Sequence, residues 1–228
     1  MKCIIAALCG VMLLAGLIAG CGSTQQTTTT EQLSTSTTVL VTTTAALVTT
    51  TTETIPLVGE TTISDKAGDV ADGNGAKPPE VTALTGRGDL SKVTMKADGT
   101  DIILTFDNAA PPPSHTEASP LGGDEYILWY VTTKGSNGDW QYQLKAKLIG
   151  DKWSLSMFNA MTAMQSDSVG EPTIAGNSLS VSFPIEMMPL LSEATGWWAG
   201  TEWSKGAITY EDVAPDGGID SPAKLPWK

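Results

Sequence analysis

The sequence predicts an all-β domain, an antiparallel β-sandwich, preceded by a disordered Thr-rich stalk. Three observations carry that prediction. Between residues 63 and 228, short runs rich in Val, Ile, Thr, Tyr and Trp alternate apolar with polar positions, the period of a half-buried strand. Gly, Asp and Asn clusters fall between those runs at short intervals, as turn chemistry requires. Helical periodicity is nearly absent; the one candidate turn, residues 184–191, is bracketed by Pro184 and Pro189, which a helix interior does not tolerate.

In chain order, Val93-Thr94-Met95-Lys96-Ala97 and Ile102-Ile103-Leu104-Thr105-Phe106 flank Asp98-Gly99, a hairpin signal. Residues 125–133 form the next strand, and Asn137-Gly138-Asp139 turns it into residues 140–148. There Trp140, Tyr142, Leu144, Ala146 and Leu148 occupy one face, and Gln141, Gln143, Lys145 and Lys147 the other. Gly150-Asp151 leads into Trp153-Ser154-Leu155-Ser156-Met157, and Gly176-Asn177 precedes Leu179-Ser180-Val181-Ser182-Phe183. One apolar and one hydroxylic face per strand fits a sheet that packs on a core and shows its other side to water. Several such strands argue for a two-sheet sandwich. Periodicity does not decide whether the sheet closes, so an up-and-down barrel is the alternative.

The chain ahead of that domain has another character. After Met1-Lys2 an apolar stretch runs to Leu17-Ile18-Ala19-Gly20-Cys21. It resembles a bacterial lipoprotein signal peptide spanning residues 1–20, with a charged start, a short apolar centre and small residues before a cysteine. The stretch is shorter than the roughly 20 residues that a spanning helix needs. The resemblance implies cleavage before Cys21, a lipid on its thiol, and residence on the extracytoplasmic face of a cell membrane. Cys3 and Cys9 would leave with the signal and Cys21 would be acylated, so no cysteine is left for a disulfide, a thiolate metal site or a catalytic thiol. Residues 21–62 are dominated by Thr with few charges and no aromatic residue. Such a segment cannot bury enough apolar surface to offset its ordering entropy. As a random coil about 40 residues span roughly 35 Å.

Charge excludes one class of partner. A formal net charge of −12 without a basic stripe repels phosphate backbones, so no nucleic-acid partner is expected. Membrane residence then depends on the lipid at Cys21, and the domain is expected to be a monomer.

Asp65, Asp69 and Asp72 lie within eight residues, interleaved with Gly68, Gly73 and Asn74. Glycine permits close backbone approach, and a loop of this kind can fold around a hard cation such as calcium, which takes carboxylate and carbonyl oxygens. Asp89, Asp212 and Asp216 are further contributors from elsewhere in the chain. The alternative is a solvated acidic turn in an acidic protein.

Together, Asp65-Lys66-Ala67-Gly68-Asp69, Asp72-Gly73-Asn74-Gly75, Gly88-Asp89-Leu90-Ser91-Lys92-Val93 and the late Asp212-Val213-Ala214-Pro215-Asp216 resemble the DOMON-like sandwiches, including family 9 carbohydrate-binding modules. The resemblance spans most of residues 63–218. It implies a jelly-roll-like sandwich, often calcium-bearing, that binds sugars or, in some members, haem.

Catalytic motifs are missing. The lone histidine, His115, sits in a Pro-rich loop; haem ligation would need it beside Met157, Met161 or Met164. Glycoside hydrolysis needs a carboxylate pair, and nothing marks one among Glu125, Glu171, Glu186, Glu202 and Glu211. Aromatic residues are the better lead. Indole faces stack on sugar C–H faces while amides and charges meet the hydroxyls. In a strand at residues 196–204, neighbours point to opposite faces, so one of Trp197 and Trp198 leaves the core. Trp197, Trp198 and Trp129 are therefore the candidate platforms, with Gln141, Gln143, Lys145 and Glu202 as polar partners. The function expected is a lipid-anchored glycan-binding module; the alternative is an envelope interaction protein without a small ligand.

Overall fold

The computed structural model describes residues 56–77, 85–114, 121, 125–168 and 170–228. The signal peptide, Cys21, most of the Thr-rich segment and His115 lie outside them.

Two antiparallel sheets form an all-β sandwich. The first takes β1 (Val58–Ser64), β3 (Leu90–Asp98), β4 (Asp101–Asn108), β9 (Thr173–Ala175) and β10 (Ser178–Pro184), in the order β1-β3-β4-β10-β9. The second takes β2 (Ala71–Asp72), β5 (Tyr126–Lys134), β6 (Trp140–Ile149), β7 (Lys152–Asn159), β8 (Met164–Ser168), β11 (Gly196–Lys205) and β12 (Ile208–Ala214). Its order is β2-β12-β11-β5-β6-β7-β8. No α-helix occurs among the described residues; the segment between Pro184 and Glu193 makes two 3₁₀ turns, Ile185–Met187 and Leu191–Glu193.

The Asp98-Gly99 turn closes the β3–β4 hairpin, with Gly99 at a φ of 98°, where glycine carries no Cβ penalty. The sheet starts earlier than the sequence indicates. Residues 58–62, assigned above to the stalk, belong to β1, which pairs with β3 from Val58↔Asp98 to Ser64↔Lys92. Thr-rich composition masks this strand because an edge strand half-open to solvent tolerates Thr, here Thr61 and Thr62, as a good strand former.

Alternation places the core between the sheets. Val93, Met95, Leu104, Phe106, Leu179 and Phe183 face Ile127, Trp129, Val131, Tyr142, Leu144 and Leu148, all buried. Trp129 donates its indole N–H to Asn108 Oδ1 at 2.8 Å and lies 5.6 Å from the ring of Trp153. One departure from alternation matters below. The β5–β6 register slips between Thr132 and Lys134, a bulge that bends the strand and re-aims its side chains. Trp140, expected in the core, is 45% exposed, while Gln141, expected outward, is buried.

Candidate functional site

Two features concentrate chemistry: an acidic corner where the sheets meet, and the outer face of the seven-stranded sheet.

At the corner the chain leaves β1 and turns back. Asp65 follows the strand directly and its backbone N–H donates to Ser91 O at 2.9 Å. Gly68, at a φ of 93°, aims its N–H at both carboxylate oxygens of Asp89, at 2.9 Å each. Asp212 comes from β12, opposite Thr201, on an inward position of the sheet. It is 5% exposed and accepts the Leu90 N–H at 2.6 Å. Asp65, Asp69 and Asp212 each present an oxygen within 4.8 Å of the other two. Asp65 Oδ2 and Asp69 Oδ1 are buried and have no hydrogen-bond partner among the described residues.

Burial and charge repulsion raise the affinity of the Asp65, Asp89 and Asp212 carboxyls for protons. Burial pushes Asp65 up to about 6, with the Asp69 and Asp216 carboxylates adding to it against the Lys66 backbone hydrogen bond. Burial takes Asp212 to about 8; Asp65, Asp69 and Asp89 repel in the same direction and the Leu90 N–H opposes them. Burial likewise raises Asp89. Such groups are costly unless paired or coordinated. An all-oxygen set with two orphaned carboxylate oxygens suits a hard cation, and the set holds no nitrogen or sulfur donor among the described residues to favour zinc. Asp65, Asp69 and Asp212 are the residues that would hold it.

Asp72 is not among them. Its Oδ1 accepts the N–H groups of Asn74 and Ala76, at 2.9 and 2.8 Å, which makes it the organiser of its own turn. Local hydrogen bonding outcompetes a distant site for an Asp followed by Gly and Asn; the third carboxylate is instead that of Asp212, named above as one of three further contributors and singled out by the topology.

On the seven-stranded sheet, register sorts the proposed ligand residues. Thr133, Val131, Trp129 and Ile127 of β5 pair in turn with Trp197, Ala199, Thr201 and Trp203 of β11, all inward. The intervening positions, Tyr126, Leu128, Tyr130 and Thr132, face outward, as do Gln143, Lys145 and Lys147 on β6 and Trp198, Gly200 and Glu202 on β11. Gln143, Lys145 and Glu202 are thus brought to one face. Gln143 donates to Thr132 Oγ1 at 3.3 Å. The Tyr126 hydroxyl donates to Glu202 Oε1. Lys147 Nζ sits 3.8 Å from the centre of the Tyr126 ring, and Lys145 Nζ 5.5 Å from that of Phe158. Tyr130 lies over Gly200, where an added Cβ would collide with its hydroxyl.

The platforms are different from those expected. Trp129 and Trp197 have no exposed surface, and the Trp197 indole N–H is consumed by Lys224 O at 3.0 Å. Trp198 is outward by register, as the alternation of the pair requires, yet only 4% exposed. The Trp140 ring packs edge-on against it, centroids 6.1 Å apart and planes at 67°. None of the three offers a face to a ligand. Gln141 is also withdrawn: the bulge turns its amide onto Leu190 O at 2.7 Å. The sequence places Trp140 on the core face, does not single out Phe158, and leaves Tyr126 and Tyr130 in a strand either buried on both sides or lining an outer groove. The signal for the tyrosines was present in the two-sided run Tyr126-Ile127-Leu128-Trp129-Tyr130-Val131. Of the candidate haem ligands, Met157 belongs to the core, whereas Met161 and Met164 are at the surface.

Compared with known protein families, curated proteins and solved structures, the chain matches none. Among the described residues no helix is long and apolar enough to cross a membrane.

Proposed function

We propose that this chain is a binding module of the extracytoplasmic membrane face, anchored by a lipid at Cys21, that grips a glycan on the outer face of its seven-stranded sheet. Calcium at Asp65, Asp69 and Asp212 would fix the corner between the sheets, in keeping with the DOMON-like resemblance. The reading rests on one observation. Gln143, Lys145 and Glu202 share an outward face with Tyr130, and the exposed indole of Trp140, propped against Trp198, closes one end of it. A sugar ring needs this pairing of a flat apolar platform with fixed hydrogen-bonding groups.

The test is glycan-array screening of the full chain in detergent, followed by calorimetry on Trp140→Ala. The expected result is weak binding, micromolar to millimolar, that falls about tenfold in the variant, a change of ~1.4 kcal/mol, with an unchanged melting temperature. Silence on every glycan overturns the reading in favour of an envelope interaction protein. One observation favours that second reading: Trp140, Met161, Met164 and Leu190 are all exposed and come together at one end. Gln141 links them, accepting the Ala160 N–H at 3.0 Å through its backbone oxygen and donating to Leu190 O. Exposed Met and aromatic side chains at one end of a sheet are adaptable contact surface for a protein.

A further inference from the structure

The outward positions of β6 and β7 carry three lysines, Lys145, Lys147 and Lys152, and no carboxylate. In a chain with a net charge of −12 this is a local inversion of sign. Acidic groups border the strip: Glu202 and Glu211, which pair across β11 and β12, and Asp167 on β8, opposite Ser156. Neither Lys145 nor Lys147 forms an ion pair with any of them among the described residues. Their ammonium groups lie over the rings of Phe158 and Tyr126 instead. Elsewhere the molecule neutralises a lysine conventionally, as at Lys92 and Asp107, 2.6 Å apart on the other sheet. A ring quadrupole holds a cation in place without cancelling its charge. Glu202, one of the bordering acids, is engaged by the Tyr126 hydroxyl. Lys145 is also partly desolvated; burial, with Lys147 alongside, lowers its affinity for a proton against the opposing pull of Glu202, and an incoming anion would offset that cost.

We infer that the glycan held on this face is anionic, its acidic groups meeting Lys145 and Lys147 while Tyr126 and Phe158 keep the two ammonium groups in position. The inference rests on the glycan reading above and specifies its ligand class.

Calorimetry of the full chain in detergent tests it, with polygalacturonate as the carboxylated probe, a glycerol phosphate polymer as the phosphorylated one, and laminarin as the neutral control. Binding of either polyanion is expected to weaken with added salt and to fall at least tenfold in Lys145→Gln/Lys147→Gln. Lys145→Arg/Lys147→Arg should retain it, since Arg keeps both the charge and the ring contact. Which polyanion binds identifies the acidic group. Laminarin binding that is insensitive to salt and to the Gln variant, with both polyanions silent, overturns the inference and leaves the glycan reading standing. Silence of all three polymers overturns both. Melting curves of the variants are expected to match the parent; a polyanion response lost only together with the fold would count against the inference.

Discussion

Both outer faces of the sandwich follow the same two-residue alternation, and their chemistry diverges. On the five-stranded sheet one row runs through every strand in register: Thr62, Thr94, Thr105, Ser180 and Thr173. Neighbours in that row satisfy each other, Thr62 with Thr94 at 3.2 Å and Thr105 with Ser180 at 2.9 Å, and the adjacent Lys92 is neutralised by Asp107. The seven-stranded face keeps charges apart from their opposites, lays rings under lysines and removes a side chain at Gly200 to make room for Tyr130. Hydroxyls paired in this way, Thr62 with Thr94 and Thr105 with Ser180, have less left to offer a ligand. The other face carries polar groups only partly matched within the fold, the arrangement expected where a partner completes them.

The largest effect should come from the seam between the two sheets, where Asp65 leaves the five-stranded sheet and Asp212 belongs to the seven-stranded one. If calcium binds there, it binds the folded state alone and stabilises it by about 2.7 kcal/mol at a hundredfold excess over its dissociation constant, roughly 5–10 °C in melting temperature for a domain of this size. Scanning calorimetry with calcium and with EGTA measures it directly, and Asp212→Asn should abolish the difference. The pH dependence carries its own sign. Asp65 and Asp212 have folded-state values near 6 and 8, above their ordinary 3.8, so without metal the folded protein holds protons that the unfolded chain releases. The contribution of these two carboxyls to the stability of the chelated protein is therefore full below about pH 4 and is lost as pH rises through 6 to 8. Saturating calcium, which favours the ionised carboxylates, should flatten that decline. Identical curves with and without chelator would reduce the corner to a strained acidic turn.

The sandwich was legible because alternation and turn chemistry are local. The β3–β4 hairpin, β6, β7 and β10 follow from runs such as Val93–Ala97 and Leu179–Phe183 and from the Gly turns beside them, at Gly99, Gly150 and Gly176. Strands without apolar alternation escaped: Val58–Ser64 hides in a Thr-rich background, and Met164–Ser168, exposed almost throughout, borrows its strand character from pairing with β7. Site residues divide the same way. Asp65 and Asp69 were visible as a local cluster, whereas their partnership with Asp212 depends on β12 lying beside β11 and under the β3 start. The choice between Trp140 and the other indoles turned on a single bulge at Thr132/Lys134, which shifts parity without any Gly or Pro to announce it.

A smaller effect should separate the two faces by volume. Gly200→Val places a side chain where Tyr130 Oη and the Asp212 carbonyl already stand. Overpacking of this kind costs about 1–3 kcal/mol, and Tyr130 must lift from the sheet. Ser182→Val, at an exposed position of β10 on the opposite face, meets open solvent and a favourable strand residue, so its effect should stay within about 0.5 kcal/mol. Urea unfolding of the two variants makes the comparison, with glycan binding lost only in the first. Equal destabilisation would mean that Gly200 is not reserved for Tyr130.

The smallest expected effect bears most directly on the difference between the faces. Thr105→Ala with Ser180→Ala removes both hydroxyls of one internal pair, so neither is left buried and unmatched, and such paired removal is close to neutral. The lost cross-strand contact contributes about 0.2–1 kcal/mol, and no exposed charge or ring is disturbed. Melting temperature should therefore move by no more than about 4 °C, and calorimetric titration with any glycan that binds the parent chain should be superimposable. A ligand response that disappears with these two hydroxyls would transfer the binding role to the five-stranded face, since a row satisfied within itself would then have been the recognising surface and the lysine–aromatic strip a bystander.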